Sequence, residues 1–322
     1  MAVADAYKDP RIVSDVNTFS AQFGLPKICG TAGTRSPCFD FKVTAPDGTA
    51  GQNPDWALET SLDVEWIHAI APRATIRLVT AHDASFASMW ATVTDAAALR
   101  PGAISISWGD SAGEFSGESY YDWHCELAHS VCVAATGDFG HPGEYPAYNP
   151  RVLAVGGTTL QLSSGGTVTS EVAWSSSGGG QSYFEPKPRA QQGVTPGSHR
   201  GIPDISFDAD PSTGVAVYDT VPYDGQAGWF QVGGTSVGAP AWSAILAAAD
   251  QLRAAAGKSP LTSSGGQAAR AVYAATSALG DITTGPPNGA CPVECQAGPG
   301  YDFVTGLGSP RVGIDKALAA AP

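Results

Sequence analysis

Residues 232–240 read Val-Gly-Gly-Thr-Ser-Val-Gly-Ala-Pro and mark a passage from a strand into a helix. The two glycines allow the backbone to turn sharply after a short apolar run. Ser236 then stands at the start of an apolar helix predicted over 237–256, where free amides and the helix dipole can stabilise an oxyanion. Pro240 fits the first turn of that helix, since a missing N–H costs nothing there. Ser236 is therefore a candidate nucleophile, and its alternative role is that of an N-cap.

Strand-like and helix-like segments alternate through the first half of the chain. The strand-like runs are 76–80, 103–107, 131–135 and 152–155, and the helical patterns are 54–70, 86–99 and 118–130. This alternation predicts an α/β fold with a mostly parallel central sheet and helices on both faces. Neither an internal repeat nor an interdomain linker is visible, so we expect residues 1–322 to form one domain.

Composition excludes several classes of protein. Of 322 residues, 43% are hydrophobic, which is too apolar for a disordered chain. The net charge is -13, from 17 basic and 30 acidic residues, and such a field repels nucleic acid and anionic membranes. There is no apolar stretch long enough to span a bilayer.

The cysteines indicate an oxidising compartment. Six cysteines fall into three local pairs, Cys29 with Cys38, Cys125 with Cys132, and Cys291 with Cys295. Even numbers at short separations are typical of small-loop disulfides. A zinc site is the competing interpretation, but the chain has neither a Cys-x-x-Cys motif nor a nearby histidine pair.

Two carboxylates are spaced to meet on one helix face. Glu59 and Asp63 lie four residues apart within the predicted helix 54–70, and like charges at that spacing repel unless they share a proton. A solvated acidic face is the ordinary interpretation. A serine nucleophile needs a base, however, and a carboxylate pair sharing a proton can supply one at low pH, where a histidine would be protonated.

Asp138 follows the predicted strand 131–135 within Thr-Gly-Asp-Phe-Gly. Catalytic groups of parallel sheets gather where strands end, although an Asp beside glycines is also common in ordinary turns.

The Gly-Thr-Ser-x-x-x-Pro string around Ser236 resembles the nucleophile motif shared by subtilases and sedolisins, the serine-carboxyl peptidases. Subtilases need a histidine base in a motif such as His-Gly-Thr, and none of the six histidines lies in one. The segment 56–63, Trp-Ala-Leu-Glu-Thr-Ser-Leu-Asp, resembles the sedolisin pattern instead. Further segments that resemble the sedolisin (kumamolisin-like) catalytic domain are 5–10, 178–180, 200–204, 209–211 and 301–310.

The resemblance implies a subtilisin-like fold and a catalytic mechanism. Ser236 would be the nucleophile, Glu59 the general base, Asp63 its supporting acid and Asp138 the oxyanion-hole donor. That role implies acid, because a protonated carboxyl group can donate a hydrogen bond to an oxyanion whereas an ionised one cannot. We expect 105–109 either to pair with substrate as an edge strand or to be a buried core strand, since its apolar alternation fits both.

A calcium site is predicted near the C-terminus. Asp281 and Asp302 lie among glycines, and a combination of carboxylate and carbonyl oxygens suits Ca²⁺. Turns that contain aspartate and glycine usually bind no metal, however, and the spacing is unlike that of an EF-hand. The resemblance implies one structural ion, held by these two side chains and by the main-chain carbonyls of Ile282, Gly298 and Gly300. The Cys291–Cys295 insert lies between the two ligand segments.

The resemblance also implies a biological setting. We expect a secreted, extracellular, monomeric endopeptidase that acts on polypeptides in acid and has its own propeptide as a partner during maturation. We expect the chain to lack that propeptide and the segment ahead of the first strand. Nucleic acid and membranes are not expected as partners.

Three other functions remain open at this level. The Glu59–Asp63 pair could belong to a glycosidase, although two side-by-side carboxylates would not flank a sugar. The chain could have kept the sedolisin fold without peptidase activity. It could also be a subtilase-type peptidase that acts at neutral pH.

Overall fold

A sheet of eight strands forms the centre of the computed structural model, which describes residues 1–46, 48, 51–127, 129–291 and 293–322. The strands of the described chain are β1 Ala2–Ala6, β2 Phe41–Thr44, β3 Ile76–Ala81, β4 Ala103–Ile106, β5 Val131–Ala135, β6 Val152–Leu162, β7 Val168–Ala173, β8 Gly180–Pro186, β9 His199–Ile202, β10 Ile205–Asp208, β11 Val215–Tyr223, β12 Gln226–Val232, β13 Leu279–Gly280 and β14 Ser309–Pro310. The α-helices are α1 Ile12–Phe23, α2 Pro54–Ile70, α3 Phe86–Ala98, α4 Gly238–Ala255, α5 Gln267–Ala274 and α6 Ile314–Ala320.

The strand order of the large sheet is β10-β6-β5-β4-β1-β3-β2, with β7 added antiparallel to β6. Every pair along the main path is parallel, as in the register of β1 on β3, where Ala4 faces Val79. The predicted, mostly parallel sheet is therefore confirmed. Shorter antiparallel pairs join β8 with β9, β11 with β12, and β13 with β14.

Apolar residues pack on both faces of this sheet. Along β1, Ala2 and Ala4 join a core with Trp90 of α3, whereas Val3 joins a core with Val64 of α2. Successive side chains of a strand point to opposite faces, so a strand buried on both sides is apolar throughout. The predicted placement of helices on both faces is confirmed.

Helix α2 begins and packs as its sequence dictates. The side chain of Asn53 accepts hydrogen bonds from the amides of Asp55 and Trp56, and Pro54 takes the first position. Leu62 is fully buried in a small core with Val217 of β11 and Val237 beside the candidate nucleophile. This packing fixes the carboxylate-bearing helix against the nucleophile turn.

The prediction of a helix over 118–130 is wrong. The structure has a 3₁₀ helix at Glu118–Cys125, and residue 128 lies outside the described residues. The aromatic and β-turn residues of this segment are weak α-helix formers. The Cys125–Cys132 disulfide also draws the chain directly into β5.

The three predicted disulfides are confirmed as Cys29–Cys38, Cys125–Cys132 and Cys291–Cys295.

The predicted long helix over 237–256 is α4. Gly257 follows it with a φ of 71°, a left-handed conformation that favours glycine and ends the helix. Within the described residues, none of the helices has both the length and the apolar character to cross a bilayer.

Candidate active site

Ser236 lies in the turn between β12 and α4. Gly234 adopts a φ of 105°, and a Cβ built on it would lie 2.7 Å from Asp138 Oδ2, so both its conformation and its space require glycine. The Ser236 hydroxyl donates to the carbonyl oxygen of Ser107 at 3.5 Å. Among the described residues its backbone N–H donates to no protein atom, so that amide is available to an oxyanion.

Glu59 and Asp63 both project from α2 toward this turn. Asp63 is fully buried, and its Oδ1 accepts from the Ser107 hydroxyl at 2.8 Å. The same Ser107 hydroxyl lies 3.4 Å from the carbonyl oxygen of Ser236. Ser107 therefore connects the carboxylate helix to the nucleophile turn.

A third carboxylate, that of Asp5 on β1, completes this group. Asp5 is fully buried, and its Oδ2 accepts from Thr60 Oγ1 of α2 at 3.0 Å. Its charge raises the pKa of both Glu59 and Asp63. Sequence analysis did not identify Asp5 as functional, although an Asp inside the apolar run Ala-Val-Ala-Asp-Ala was a usable signal.

Burial raises the pKa of all three carboxyl groups, and their mutual repulsion adds to that rise for Glu59 and Asp63. In the described part of the chain, no ion pair involves any of them. Each keeps one buried oxygen without a partner, Asp5 Oδ1, Glu59 Oε1 and Asp63 Oδ2. Neighbouring carboxyl groups satisfy such oxygens by sharing a proton, so the group can hold less than one negative charge per carboxyl.

Asp138 follows β5 and faces the turn from the other side. Its Oδ1 accepts from the Thr235 amide at 2.7 Å and from the Thr235 hydroxyl at 2.8 Å. The remaining oxygen, Oδ2, lies over Gly234. Burial raises the pKa of Asp138, and the two bonds from Thr235 oppose that rise. The geometry leaves one carboxyl oxygen free beside Ser236.

A cavity of about 140 Å³ opens beside Ser236 and Asp138. Its other walls include Trp108, Glu144 and the exposed ring of Phe139. Burial, with the nearby charges of Asp138 and Asp110, raises the pKa of Glu144 to about 7. Sequence analysis missed Glu144, because nothing in its local sequence distinguishes it from a surface acid.

The segment 105–109 belongs partly to the core and partly to the site. Strand β4 lies between β1 and β5 in the middle of the sheet, so the edge-strand expectation does not hold for its residues. Ser107, Trp108 and Gly109 lie beyond the end of β4 and line the cavity.

The histidines lie elsewhere. His68 bonds to Pro26, His124 to Thr94, His129 to Arg100, His141 to Gly179 and His199 to Ser198, and His82 is exposed. In the described chain, no histidine hydrogen-bonds to Ser236. Any base for Ser236 must come from the carboxyl group cluster.

The residues predicted to hold calcium converge on one loop. The amide of Gly300 donates to Asp281 Oδ2 at 2.9 Å, and the amide of Gly298 donates to Asp302 Oδ2 at 3.1 Å. The carbonyl oxygens of Ile282, Gly298 and Gly300 accept no hydrogen bond from any described residue. Asp302 also accepts from the amides of Val304 and Thr305, so its oxygens already have protein donors. Carboxylate and carbonyl oxygens are the hard ligands that Ca²⁺ prefers, so the residue types present fit that ion.

Comparison with known proteins gives a consistent result. No family model matches the chain. The chain is 33% identical over 296 residues to kumamolisin from Bacillus sp. (strain MN-32), an alignment covering 82% of this chain and 51% of that protein. It is 36% identical over 181 residues to sedolisin from Pseudomonas sp. (strain 101), covering 51% of this chain and 28% of that protein. The chain thus spans about half the length, or less, of these curated relatives.

The fold has a close counterpart among solved structures. Pseudomonas sedolisin, described as a serine-carboxyl proteinase complexed with two molecules of pseudo-iodotyrostatin, superposes with a TM-score of 0.77 at 24% identity, over 99% of this chain and 90% of that one. The structure of the prenylagaramide maturation protease PagA superposes with a TM-score of 0.57 at 16% identity. These likenesses confirm the predicted subtilisin-like α/β fold. With the sequence similarity to kumamolisin, they identify the chain as a catalytic domain of the sedolisin family of serine-type peptidases.

Proposed function

We propose that this domain is an endopeptidase that hydrolyses peptide bonds in acid. The observation that carries the proposal is the contact of Ser236, through Ser107, with a buried group of three carboxyl groups and no histidine. Carboxyl groups can act as bases where a histidine would be protonated. The family membership supports peptide bonds as the target.

Ser236 attacks the peptide carbonyl as Glu59 takes the hydroxyl proton. Asp63 and Asp5 hold the remaining shared protons, so they orient Glu59 and limit the negative charge that must be buried. The proton on Glu59 then passes to the departing amine as the C–N bond breaks. In the second half-reaction Glu59 takes a proton from water, which attacks the acyl carbon, and Glu59 returns that proton to the Ser236 oxygen as the acyl C–O bond breaks.

The oxyanion lies between the Ser236 amide and Asp138 Oδ2 in this proposal. Since Thr235 occupies Oδ1, a proton on Asp138 is directed to Oδ2, where it can be donated. The raised pKa keeps that proton at higher pH than an ordinary aspartate would, and the donor is lost as the pH rises through that pKa.

Replacing Asp138 with Asn tests this assignment. The Asn side chain can keep both bonds from Thr235 and donate from Nδ2 at every pH, so we expect the alkaline fall of kcat/KM to move upward. Asp138→Ala should instead lower kcat by about 100-fold, the usual cost of an oxyanion donor. Initial rates on one peptide between pH 2 and 8 measure both effects. An Ala variant with the wild-type rate would contradict the role of Asp138.

Glu144 in the cavity suggests a preference for substrates with a basic side chain before the scissile bond. When Glu144 is ionised, a lysine or arginine side chain before the scissile bond would pair with it, and because its pKa is about 7 this pairing develops only as the pH approaches 7. At pH 7 we expect Glu144→Gln to reduce the ratio of kcat/KM for lysine over leucine at that position by about tenfold. Matched peptides measure the ratio. An unchanged ratio would exclude Glu144 from side-chain selection.

We further propose one structural Ca²⁺ held by Asp281, Asp302 and the carbonyls of Ile282, Gly298 and Gly300. The ion would fix the loop whose Asn288 carbonyl accepts from the His141 amide, beside the Asp138 turn.

A chelator should therefore lower the Tm by about 5 °C or more, as expected for loss of a ligand bound well above its Kd. Asp281→Asn should remove this response, and Asp315→Asn, a distant acid, should not. If the chelator leaves the Tm of the parent protein unchanged, the site does not hold calcium.

The setting follows from the family and the disulfides. We propose a secreted, extracellular, monomeric enzyme that acts on polypeptides and has its own propeptide as a partner in maturation. Three disulfides support an oxidising compartment. The glycosidase alternative is weak, because Glu59 and Asp63 lie four residues apart on the same helix, α2, rather than facing each other across a cleft.

A further inference from the structure

Four more carboxyl groups meet in the interior, outside the candidate active site. Asp9 precedes α1, Asp15 lies on α1, Glu65 on α2 and Asp219 on β11. Their exposed fractions are 8% for Asp9, 2% for Asp15 and 0% for both Glu65 and Asp219. The proposed peptidase mechanism uses none of them.

Three of these side chains hold one irregular segment of β11. The contacts are Tyr218 N to Glu65 Oε2 at 2.9 Å, Thr220 N to Asp15 Oδ2 at 2.8 Å, and Val221 N to Asp219 Oδ1 at 2.7 Å. The pairing of β11 with β12 is interrupted just after Asp219, so side chains replace the missing strand partners. Asp9 joins the group through the hydroxyl of Ser61 on α2, at 3.4 Å.

Among the described residues, no cation pairs with this group. The two basic residues near Asp9 in sequence, Lys8 and Arg11, are both exposed, and the backbone amide of Arg11 donates to Asp9 Oδ1. Strand β12 carries no charged side chain. Of the ion pairs in the described part of the chain, none includes the four acids. Glu65 Oε1 and Asp219 Oδ2 are buried without a partner.

A single metal ion does not fit the arrangement. No three of these carboxyl groups bring ligand atoms within 4.8 Å of one another. Burying several carboxylates without a counter-ion costs several kcal/mol for each charge, and protonation removes that cost.

We propose that Asp9, Glu65 and Asp219, which pack with Asp15 around the irregular segment of β11, hold protons in the folded domain and form a switch that keeps the active-site framework assembled only in acid.

The direction of the pH dependence follows from burial. Burial, with mutual repulsion, raises the pKa of Glu65 to about 10, of Asp9 to about 7 and of Asp219 to about 6. In the unfolded chain these groups titrate near pH 4. Stability is therefore fully present below about pH 4, and falls as the pH rises toward the folded pKa values.

The position of the cluster explains why this would matter for activity. Strand β12, which pairs with β11, ends at Val232, four residues before Ser236. Glu65 lies on the helix that carries Glu59 and Asp63. Ionisation of the cluster would destabilise both the turn that carries Ser236 and the helix that carries Glu59, so the domain would lose activity at neutral pH.

Thermal unfolding in the Ser236→Ala background, between pH 4 and 8 at constant ionic strength, tests the switch without self-digestion. We expect the Tm to fall with pH, and the fall between pH 4 and 7 to be smaller by about 5 °C in Glu65→Gln, whose amide keeps the bond from Tyr218. Asp219→Asn should behave likewise. Asp224→Asn, on the exposed turn of the same hairpin, should match the parent.

Proton release on unfolding at pH 6 provides a second readout. Glu65→Gln should release about one proton fewer than the parent, because Glu65 is protonated only when folded. Unchanged Tm curves and proton release in both cluster variants would overturn the switch. So would a calcium-dependent rise in Tm at pH 7 that Glu65→Gln abolishes, since a cation would then replace the protons. None of these readouts requires catalysis, so a failure of the switch can be distinguished from a failure of the proposed peptidase activity.

Discussion

Replacing Ser236 with alanine is expected to lower kcat/KM for peptide hydrolysis by about 10⁴-fold or more, since no acyl-enzyme can form. The Ser236 hydroxyl makes a long hydrogen bond to Ser107, at 3.5 Å, and one with the Glu59 carboxyl group, so its loss should change the Tm little. Steady-state rates on a chromogenic peptide at pH 4, with thermal unfolding of the same preparation, measure both quantities.

Ser243 provides a matched control for this substitution. It lies on α4 and is buried, and its hydroxyl has no hydrogen-bond partner in the described structure. Ser243→Ala should keep the wild-type rate. A Ser236→Ala variant that still hydrolyses peptides at more than a hundredth of the parent rate would show that another residue is the nucleophile.

Replacing Glu59 with glutamine is expected to lower kcat/KM by about 10³-fold, because glutamine keeps the size of the side chain but cannot take a proton from Ser236. The substitution also removes one of three neighbouring acids whose charges oppose one another. The Tm at pH 7 should therefore rise or stay constant while activity is lost. This combination separates a catalytic role from a structural one.

Asp55 serves as the control on the same helix. It is exposed in the first turn of α2, so Asp55→Asn should retain activity within about twofold, as surface substitutions usually do. If Glu59→Gln keeps more than a tenth of the parent activity, Glu59 is not the base. Asp63 or Asp5 would then be the next candidate.

Local sequence patterns predicted the elements that position the site. The helices predicted over 54–70 and 237–256 are α2 and α4, and local residues bound them: Asn53 caps the start of α2, and Gly257 follows α4 in a left-handed conformation. The four-residue spacing of Glu59 and Asp63 fixed which face of α2 they share. These features depend on neighbours along the chain, so the sequence contains them directly.

Features that depend on contacts between segments far apart in the sequence were not predicted. Asp5 lies with Glu59 and Asp63 because β1 lies next to β3 and β4 at the centre of the sheet. Glu144 reaches the cavity because Gly137 leaves room for it, with the site of a Cβ on Gly137 only 2.6 Å from Glu144 Cδ. The cluster of Asp9, Asp15 and Glu65 likewise forms only when α1, α2 and β11 pack together.

The protonation state that Asp138 needs is also a tertiary property. Its raised pKa comes from burial in the folded domain, whereas the segment Thr-Gly-Asp-Phe-Gly alone describes an ordinary turn. The proposed acid requirement therefore depends on the packing around Ser236, and activity as a function of pH would report on that packing.

The measurement that tests the central claim most directly is hydrolysis of a denatured protein between pH 2 and 8 by the parent protein and by Ser236→Ala. A carboxyl base with a protonated Asp138 predicts that the hydrolysis rate of the parent protein is highest well below pH 7 and declines toward neutral pH. It also predicts no hydrolysis by Ser236→Ala at any pH. A maximum above pH 7, or activity that survives the substitution, would contradict the account.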